Sequence, residues 1–114
     1  MKDEYITRVS SLVGEEAISL LRRSTVAVFG LGGVGSYAVE ALCRGGVGSF
    51  YLVDSEKIKP ANFNRQLLAT LDSVGRKKTE LMKERIFSIN PEAEVKCYSG
   101  YYGKDTELPF ESFD

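Results

Sequence analysis

The pattern of apolar and polar residues along the chain predicts helices and strands in alternating order. Apolar runs at residues 26–29 and 50–53 are typical of buried parallel strands, and polar and apolar residues alternate over residues 94–98. Helical spacing covers residues 3–23, where Gly14 divides the pattern into two segments, and recurs after each of the first two strands. The last helix is predicted to open at residues 73–75 and to end at Asn90-Pro91. The residues at helical spacing are Leu12, Val13, Ala17, Leu20 and Leu21 in the first segment, Val34, Ala38, Ala41 and Leu42 in the second, and Leu81, Met82, Arg85, Ile86 and Ile89 in the third.

This order predicts an α/β fold with a Rossmann-like parallel sheet, preceded by an N-terminal helical segment. Three strands are only about one half of a doubly wound sheet, which is built from two such halves. The free edge of the first strand would be a liability for an isolated domain. We therefore expect residues 1–114 to be the N-terminal part of a larger domain, and the chain to be a fragment.

A glycine-rich loop joins the first strand to the next helix and suggests the chemistry of the fold. It reads G-x-G-G-x-G, and an acid, Asp54, ends the second strand at about the separation expected in a mononucleotide-binding unit. Glycine lets the strand turn sharply and lets a phosphate approach the backbone at a helix N-terminus. The alternative is a glycine-rich turn that only packs the helix on the strand. We expect a nucleotide to contact Gly30, Gly32, Gly33, Val34 and Gly35, with Asp54 accepting hydrogen bonds from its ribose.

Two further polar groups follow strand ends or open a helix. Asn62-Phe63-Asn64-Arg65-Gln66 comes soon after the second strand, where ligands bind in open α/β sheets, although the same residues could simply cap a short helix. Arg76, Lys77 and Lys78 are placed in the first turn of the last helix, where cations oppose the helix dipole. A lysine near the nucleotide phosphates would explain one of them, and solvated cations would explain the others.

Composition excludes several classes of function. The 114 residues are 43% hydrophobic and 27% charged, with a net charge of −1, which is ordinary for a soluble domain and gives no overall attraction to nucleic acid. Apolar runs are too short for a membrane span and the N-terminus lacks a signal-peptide core, so a cytoplasmic location is expected. The chain has no histidine, and Cys43 and Cys97 are isolated, so neither zinc binding nor histidine-based catalysis is expected within it.

These motifs together resemble the ubiquitin-activating-enzyme-like adenylating superfamily of the ThiF type. The similarity rests on the glycine loop with Ser36, on Asp54, on the Asn-x-Asn-Arg-Gln block, on Val74-Gly75-x-x-Lys78 and on Ile89-Asn90-Pro91. The words GVGSYAVEAL, NFNRQLLA and MKERIFSINP are similar to the tRNA threonylcarbamoyladenosine dehydratase branch. In that branch ATP activates the carboxylate of threonylcarbamoyladenosine at position 37 of tRNA, and the activated carbonyl then closes into a ring.

The resemblance implies roles for individual residues. Arg8, Arg65 and Lys78 would be catalytic, with Arg8 lent across a homodimer interface. The expected nucleotide-binding residues beyond the glycine loop are Asp54, Glu56, Asn62, Asn64 and Gln66. The family commonly has Asp-x-Asp where this chain has Asp54-Ser55-Glu56, so the second acid of this motif is longer by one methylene group here. Mg²⁺ is expected with ATP, but its aspartate ligand would lie beyond residue 114, and Asp114 is not a safe substitute. The chain alone is therefore expected to be inactive.

Several alternatives remain open from the sequence. The same chemistry could activate the C-terminus of a ubiquitin-like sulfur-carrier protein, and a sulfur-carrier or cysteine-desulfurase protein is a candidate partner besides tRNA. An NAD-dependent oxidoreductase could use the glycine loop and Asp54, but it would have no reason to place Asn64, Arg65 and Gln66 after the second strand. A fragment that dimerises through its N-terminal helices without tight ligand binding is the third alternative.

Overall fold

The computed structural model describes residues 6–101 and 107–114, and within these ranges it is an α/β fold with one three-stranded parallel sheet. The predicted fold class and N-terminal helical segment are confirmed. Short 3₁₀ turns occur at Pro60–Asn62, Leu71–Ser73 and Phe110–Ser112. The helices and strands, in chain order, are α1 (Thr7–Val13), α2 (Glu15–Arg23), β1 (Thr25–Phe29), α3 (Gly35–Arg44), β2 (Ser49–Val53), α4 (Lys78–Ile89) and β3 (Glu94–Tyr98).

The strands lie in the order β1-β2-β3 with their carboxyl ends at the same edge of the sheet. Val26 is opposite Phe50, and Phe50 is opposite Val95, so the two pairings are in simple register. β1 and β2 each begin one residue before the predicted apolar run, and β3 has the predicted bounds. The loops that follow β1, β2 and β3 therefore meet at one edge.

The hydrophobic core lies between the sheet and helices α3 and α4, which also pack on each other. Cys43 is fully buried there, and its thiol lies 3.9 Å from the carbonyl oxygen of Ile86. Burial raises the pKa of this thiol to about 11, so the sulfur is a packed, protonated group as expected. The buried members of the core are Leu31, Val39, Cys43, Val47, Phe50, Leu52, Ile58, Leu68, Met82, Ile86 and Ala93.

Helix α3 buries a face that only partly matches the predicted one, since Leu42 packs against the core as predicted but Val34 and Ala41 are exposed. Its buried residues are Ser36, Val39 and Cys43, whereas Val34 precedes the helix and is 85% exposed. The reason is the tight contact between Gly35 and the backbone of Gly30, which turns the Gly35 side of the helix toward β1. Residues at positions 35, 39 and 43 follow one another on a helical face, so that contact sets the buried stripe.

Helix α4 begins at Lys78, later than the predicted opening at residues 73–75. The hydroxyl of Ser73 accepts a hydrogen bond from the backbone N–H of Thr70, which closes a separate 3₁₀ turn. Gly75 then has a positive φ of 86°, and Lys77 forms an antiparallel bridge with Lys57. The expectation that Arg76 and Lys77 lie in the first helical turn is therefore wrong, and of the three cations only Lys78 lies within the helix.

Ion pairs join α3 and α4 on the surface of the helical layer. The guanidinium of Arg85 donates a hydrogen bond to the carboxylate of Glu40, and Arg44 lies 3.7 Å from the same carboxylate. Arg76, before α4, pairs with Glu84 on the exposed surface of α4. The interpretation of Arg76 as a surface cation is consistent with this exposed pair.

The N-terminal helices are attached to the turn between α3 and β2. The predicted division at Gly14 is confirmed, and the part of the predicted helix before residue 6 lies outside the described residues. Ile6 and Ile18 are buried, but Leu12 and Leu20 are 87% and 59% exposed. Within the part of the chain described, no helix has the length and apolar character needed to cross a membrane.

The second face of the sheet is met by the segment 107–114. Phe113 packs at 5.3 Å from the ring of Tyr51 on β2, and Phe110 stacks on Phe29 of β1. At the end of this segment the backbone N–H of Asp114 donates to the carbonyl oxygen of Thr25, and a carboxylate oxygen of Asp114 accepts from the N–H of Thr25, both at 2.7 Å. Asp114 thus lies at the amino end of β1, away from the edge where the strand-end loops meet.

Candidate nucleotide-binding site

The glycine loop makes a close turn between β1 and α3. Gly30 has a φ of 92°, and its N–H donates to the carbonyl oxygen of Val53 at 2.8 Å. A Cβ at Gly35 would lie 1.7 Å from the carbonyl oxygen of Gly30, so no other residue fits there. The packing role is therefore present, since the loop joins the helix closely to the strand. The backbone at Gly32 and Gly33 is partly exposed, and its contact with a nucleotide remains a prediction.

Ser36 closes the glycine loop with a hydrogen bond. From the sequence, this serine was named as part of the family motif but was assigned no role. The hydroxyl of Ser36 donates to the carbonyl oxygen of Gly32 at 2.6 Å, and the side chain is fully buried. Its backbone N–H also lies 3.3 Å from that oxygen. The available signal was its position, directly after the last glycine of the loop and in the first turn of the helix, where a small hydroxyl residue can satisfy a free carbonyl.

Asp54 connects the glycine loop to the loop after β2. Its Oδ2 accepts a hydrogen bond from the N–H of Leu31, and its Oδ1 accepts one from the N–H of Glu56, each at 2.7 Å. A carboxylate oxygen has a second acceptor position, so a ribose hydroxyl can still reach it. The predicted ribose contact remains a prediction, and the structure adds a second role, which is to fix two loops relative to each other.

A cleft of about 190 Å³ opens at the carboxyl ends of the strands. Its lining includes Gly30 of the glycine loop and the two acidic residues Asp54 and Glu56. Sequence reasoning missed the contribution from beyond β3, although the carboxyl end of a third parallel strand must reach the same edge. The complete lining is Phe29, Gly30, Val53, Asp54, Ser55, Glu56, Gly100 and Tyr101.

The Asn-x-Asn-Arg-Gln segment lies against the glycine loop, which brings two of the predicted groups together. A Cβ on Gly33 would lie 3.6 Å from the carbonyl oxygen of Arg65, and one on Gly32 would lie 3.6 Å from the amide nitrogen of Gln66. Gln66 is 8% exposed, and among the described residues its Oε1 is a buried side-chain oxygen without a hydrogen-bond partner. The segment and the loop therefore form one continuous surface beside the cleft.

In the segment 62–66, one polar side chain caps a local turn and two others are exposed to solvent. Asn62 is buried, and its Oδ1 accepts from the N–H of Lys59 at 2.9 Å, so the capping interpretation holds for this residue. Asn64 and Arg65 are exposed, with a guanidinium N–H of Arg65 donating to Oδ1 of Asn64 at 2.9 Å and to the carbonyl oxygen of Ala61 at 3.1 Å. Arg65 is thus oriented by neighbours while most of its donors remain available.

Lys78 is the first residue of α4 and is buried, with 2% of its side chain exposed. Its ammonium lies 3.3 Å from a carboxylate oxygen of Glu56, and its backbone N–H donates to the carbonyl oxygen of Glu56 at 3.1 Å. Glu56 is itself 53% exposed and lines the cleft. The two predicted residues are therefore partners in this structure.

Arg8 is not brought to this site by its own chain. It lies exposed in α1, outside the lining of the cleft. Asp114 also lies elsewhere, at the amino end of β1, which agrees with the expectation that it does not replace the magnesium ligand. The described chain thus assembles the glycine loop, Asp54, Glu56, the 62–66 segment and Lys78, but neither Arg8 nor Asp114.

Comparison with known proteins agrees with this geometry. A family model described as the ThiF family matches residues 5–114. The chain is 51% identical over 101 residues to the tRNA threonylcarbamoyladenosine dehydratase of Bacillus subtilis, covering 89% of this chain and 39% of that protein. It is 41% identical over 93 residues to a ubiquitin-like modifier-activating enzyme 5 of Culex quinquefasciatus, covering 82% and 23%.

A solved structure gives the same result for the fold. The Escherichia coli tRNA N6-threonylcarbamoyladenosine dehydratase in complex with ATP superposes with a TM-score of 0.83 at 41% identity, covering 85% of this chain and 40% of that one. The chain spans about two fifths of the length of the dehydratases it matches. These similarities favour the adenylating interpretation over the oxidoreductase. The chain belongs to the ThiF family.

Proposed function

We propose that this chain is the N-terminal nucleotide-binding part of an ATP-dependent adenylating enzyme that dehydrates threonylcarbamoyladenosine in tRNA. The observation that carries the proposal is the contact between the glycine loop and the Asn-x-Asn-Arg-Gln segment beside a cleft at the strand ends. An oxidoreductase of this fold needs the loop and the acid but not the adjoining arginine. The names of the dehydratase relatives, one of them solved with ATP, support the same activity.

The chemistry requires charge stabilisation more than proton transfer. A carboxylate oxygen of the substrate forms a bond to the α-phosphorus of ATP while the bond to pyrophosphate breaks. A nucleophilic atom of the carbamoyl group then attacks the activated carbonyl, the ring closes, and AMP leaves with the oxygen that is formally lost as water. Negative charge builds on the phosphate oxygens in the first step, so fixed cations and donors lower its barrier.

The residues of the described site suit these tasks. The backbone at Gly32 and Gly33 can approach the phosphates at the start of α3, and Asp54 can accept from the ribose. Arg65 offers a planar fork of donors, and Asn64 adds neutral ones. Lys78 supplies a second cation once Glu56 moves away.

Magnesium is expected to arrive with the phosphates of ATP, as hard cations bind oxygen ligands. Among the described residues the cleft is lined by two carboxylates: Asp54, which accepts from two backbone N–H groups and is assigned to the ribose, and Glu56, which pairs with Lys78 in the empty site. Neither is assigned as the fixed protein ligand of the ion. We therefore propose that the protein ligand of this ion is an acidic residue on a strand after residue 114.

The likeness to ubiquitin-like modifier-activating enzyme 5 keeps one second candidate function. The same site would then adenylate the C-terminal carboxylate of a small ubiquitin-like carrier protein. The two substrates are distinguished in the full-length protein by pyrophosphate release, which should need tRNA carrying threonylcarbamoyladenosine and not a carrier protein. Release that depends on the carrier alone would reverse the assignment.

The proposal is tested on this chain by thermal unfolding with and without nucleotide. A ligand that binds the folded state raises the melting temperature by mass action, so ATP with magnesium should raise it by several degrees, whereas NAD and NADP should not. Arg65→Ala should abolish most of the shift, and Arg23→Ala, an exposed arginine at the end of α2, should not. A shift with NAD alone would contradict the adenylating function.

A further inference from the structure

We propose that Glu56 is a displaceable counter-ion that holds Lys78 in place when the site is empty and must leave it when the nucleotide phosphates arrive. The inference rests on the proposed function, since it names what the first step of ATP binding does to this pair. It starts from the arrangement of three groups: the cleft, Glu56 at its wall, and Lys78 behind Glu56.

The burial of Lys78 is the first observation. An ammonium group with 2% of its side chain exposed loses most of its hydration, which is costly unless an opposite charge or several acceptors replace the water. Glu56 provides that charge at 3.3 Å. Without a partner the lysine would be driven toward solvent, so the carboxylate fixes its position before any ligand is present.

The asymmetry of exposure is the second observation. The Glu56 side chain is 53% exposed and lines the cleft, whereas Lys78 is not among the described residues that line it. A phosphate entering the cleft therefore meets a carboxylate first and can reach the ammonium only after that carboxylate has turned away. The solvent-facing member of the pair is the one that can move at low cost.

The backbone around the pair is fixed, so the exchange can be confined to side chains. The N–H of Glu56 donates to Asp54, and the carbonyl oxygen of Glu56 accepts from the N–H of Lys78. These bonds hold the main chain of both residues while the longer glutamate side chain rotates. An aspartate at position 56 would have a shorter reach toward Lys78 from the same backbone.

The exchange can be measured, because the Glu56 carboxylate should stabilise the empty protein but oppose the binding of phosphate. Glu56→Gln preserves shape but removes the charge, so the empty protein should unfold at a lower temperature, since Lys78 loses its counter-ion. The same variant should bind ATP about three- to tenfold more tightly, because the phosphates no longer compete with a carboxylate. Affinity for adenosine, which has no phosphate, should change less than twofold.

The experiment measures the dissociation constants of ATP and adenosine at fixed ionic strength for four chains: the natural chain, Glu56→Gln, Lys78→Met, and both substitutions together. The gain in ATP affinity should vanish when Lys78 is methionine. Glu84→Gln is the matched control, since it removes the same charge from another glutamate paired with a cation outside the cleft, and it should leave both affinities unchanged.

Every other outcome of this experiment overturns the inference. A gain that persists in the Lys78→Met chain would mean that Glu56 merely repels phosphate. Weaker ATP binding by Glu56→Gln would make the carboxylate a ligand of the nucleotide complex. Equal affinity of the natural and Glu56→Gln chains for ATP would mean that the Glu56–Lys78 pair only stabilises the fold. If neither the natural chain nor the Glu56→Gln chain bound ATP, the proposed function and the counter-ion role would both be contradicted.

Discussion

At the scale of the residue, the site is determined by a few positions where only one side chain fits. Gly35 is the clearest, since a Cβ there would overlap the carbonyl oxygen of Gly30. Gly33 differs, because a Cβ would meet its nearest neighbour at an ordinary 3.6 Å and its φ is not positive. Two glycines that look equivalent in the motif therefore differ: the fold requires glycine at position 35, whereas it would accept a Cβ at position 33.

This difference predicts opposite outcomes for two alanine substitutions. Gly35→Ala should lower the free energy of unfolding by about 2 kcal/mol or more, because the backbone must move to relieve the overlap. Gly33→Ala should leave it within about 1 kcal/mol of the original value but weaken ATP binding, since the new methyl group occupies the approach to the loop. Chemical denaturation measures the first quantity and nucleotide titration the second. Equal destabilisation by both variants would refute the distinction.

The residue scale also shows where sequence reasoning stops. The glycine spacing, Asp54 and the 62–66 segment could be identified because backbone clearance and strand-end position leave a local pattern. The second role of Asp54, which joins the N–H groups of Leu31 and Glu56, depends on two loops that meet only in the fold. The pairing of Glu56 with Lys78 crosses a loop that contains two 3₁₀ turns, and no local rule gives its path.

At the scale of the element, the sequence predicted which segments form helices and strands. It predicted less well which helical face is buried and where a helix begins. The strands were found within one residue because apolar runs mark them directly. The buried face of α3 was predicted only in part, at Leu42, since the face is set by the contact at Gly35 and not by the average spacing of apolar residues. The start of α4 was mistaken because the Ser73 hydroxyl closes a separate turn before it.

The ion pair between α3 and α4 gives a pH dependence at this scale. The hydrogen bond from Arg85 holds the pKa of Glu40 below its usual value, although burial opposes the shift. A lowered folded-state pKa contributes stability above the ordinary glutamate pKa of about 4.3, and that contribution is lost as the pH falls through the folded value. Glu40→Gln should therefore reduce the free energy of unfolding near neutral pH by about 0.5–1 kcal/mol, since Arg85 is partly exposed.

The same variant should cost progressively less as the pH falls through the lowered pKa of Glu40, because the natural chain then loses the charge on this carboxylate too. Unfolding curves over a pH series measure the difference. Glu84→Gln is a suitable comparison, because Glu84 has a similar arginine partner but is more exposed, and it should give a smaller loss. A loss that does not change with pH would show that Glu40 acts by packing alone.

At the scale of the whole molecule, the described site lacks the arginine that its family resemblance calls for. Arg8 is exposed in α1, beside the exposed Leu12 and Val13. We propose that this helix meets a second copy of the chain and that Arg8 serves the partner's nucleotide. In the proposed dimer, each of two symmetric sites would then combine Arg65 of one protomer with Arg8 from the other.

Mixing two variants tests this arrangement. Arg8→Ala and Arg65→Ala should each bind ATP weakly alone, but an equimolar mixture should recover tight binding in about a quarter of its sites, because half of the dimers are mixed and each has one complete site. Titration of the mixture measures that fraction, and sedimentation at the same concentration checks that dimers form. Arg8 acting within its own chain would give no recovery in any mixture.

The two cysteines differ in burial, so their rates of chemical labelling can report on opening of the fold. Cys97 is exposed on β3, whereas Cys43 is enclosed between α3 and the sheet with its pKa raised to about 11. A thiol-labelling reagent needs a thiolate that it can reach, so it modifies Cys97 from the surface and Cys43 only when the helical layer separates from the sheet. The ratio of the two labelling rates therefore reports how often the scaffold beneath the glycine loop opens, with Cys97 as an internal reference.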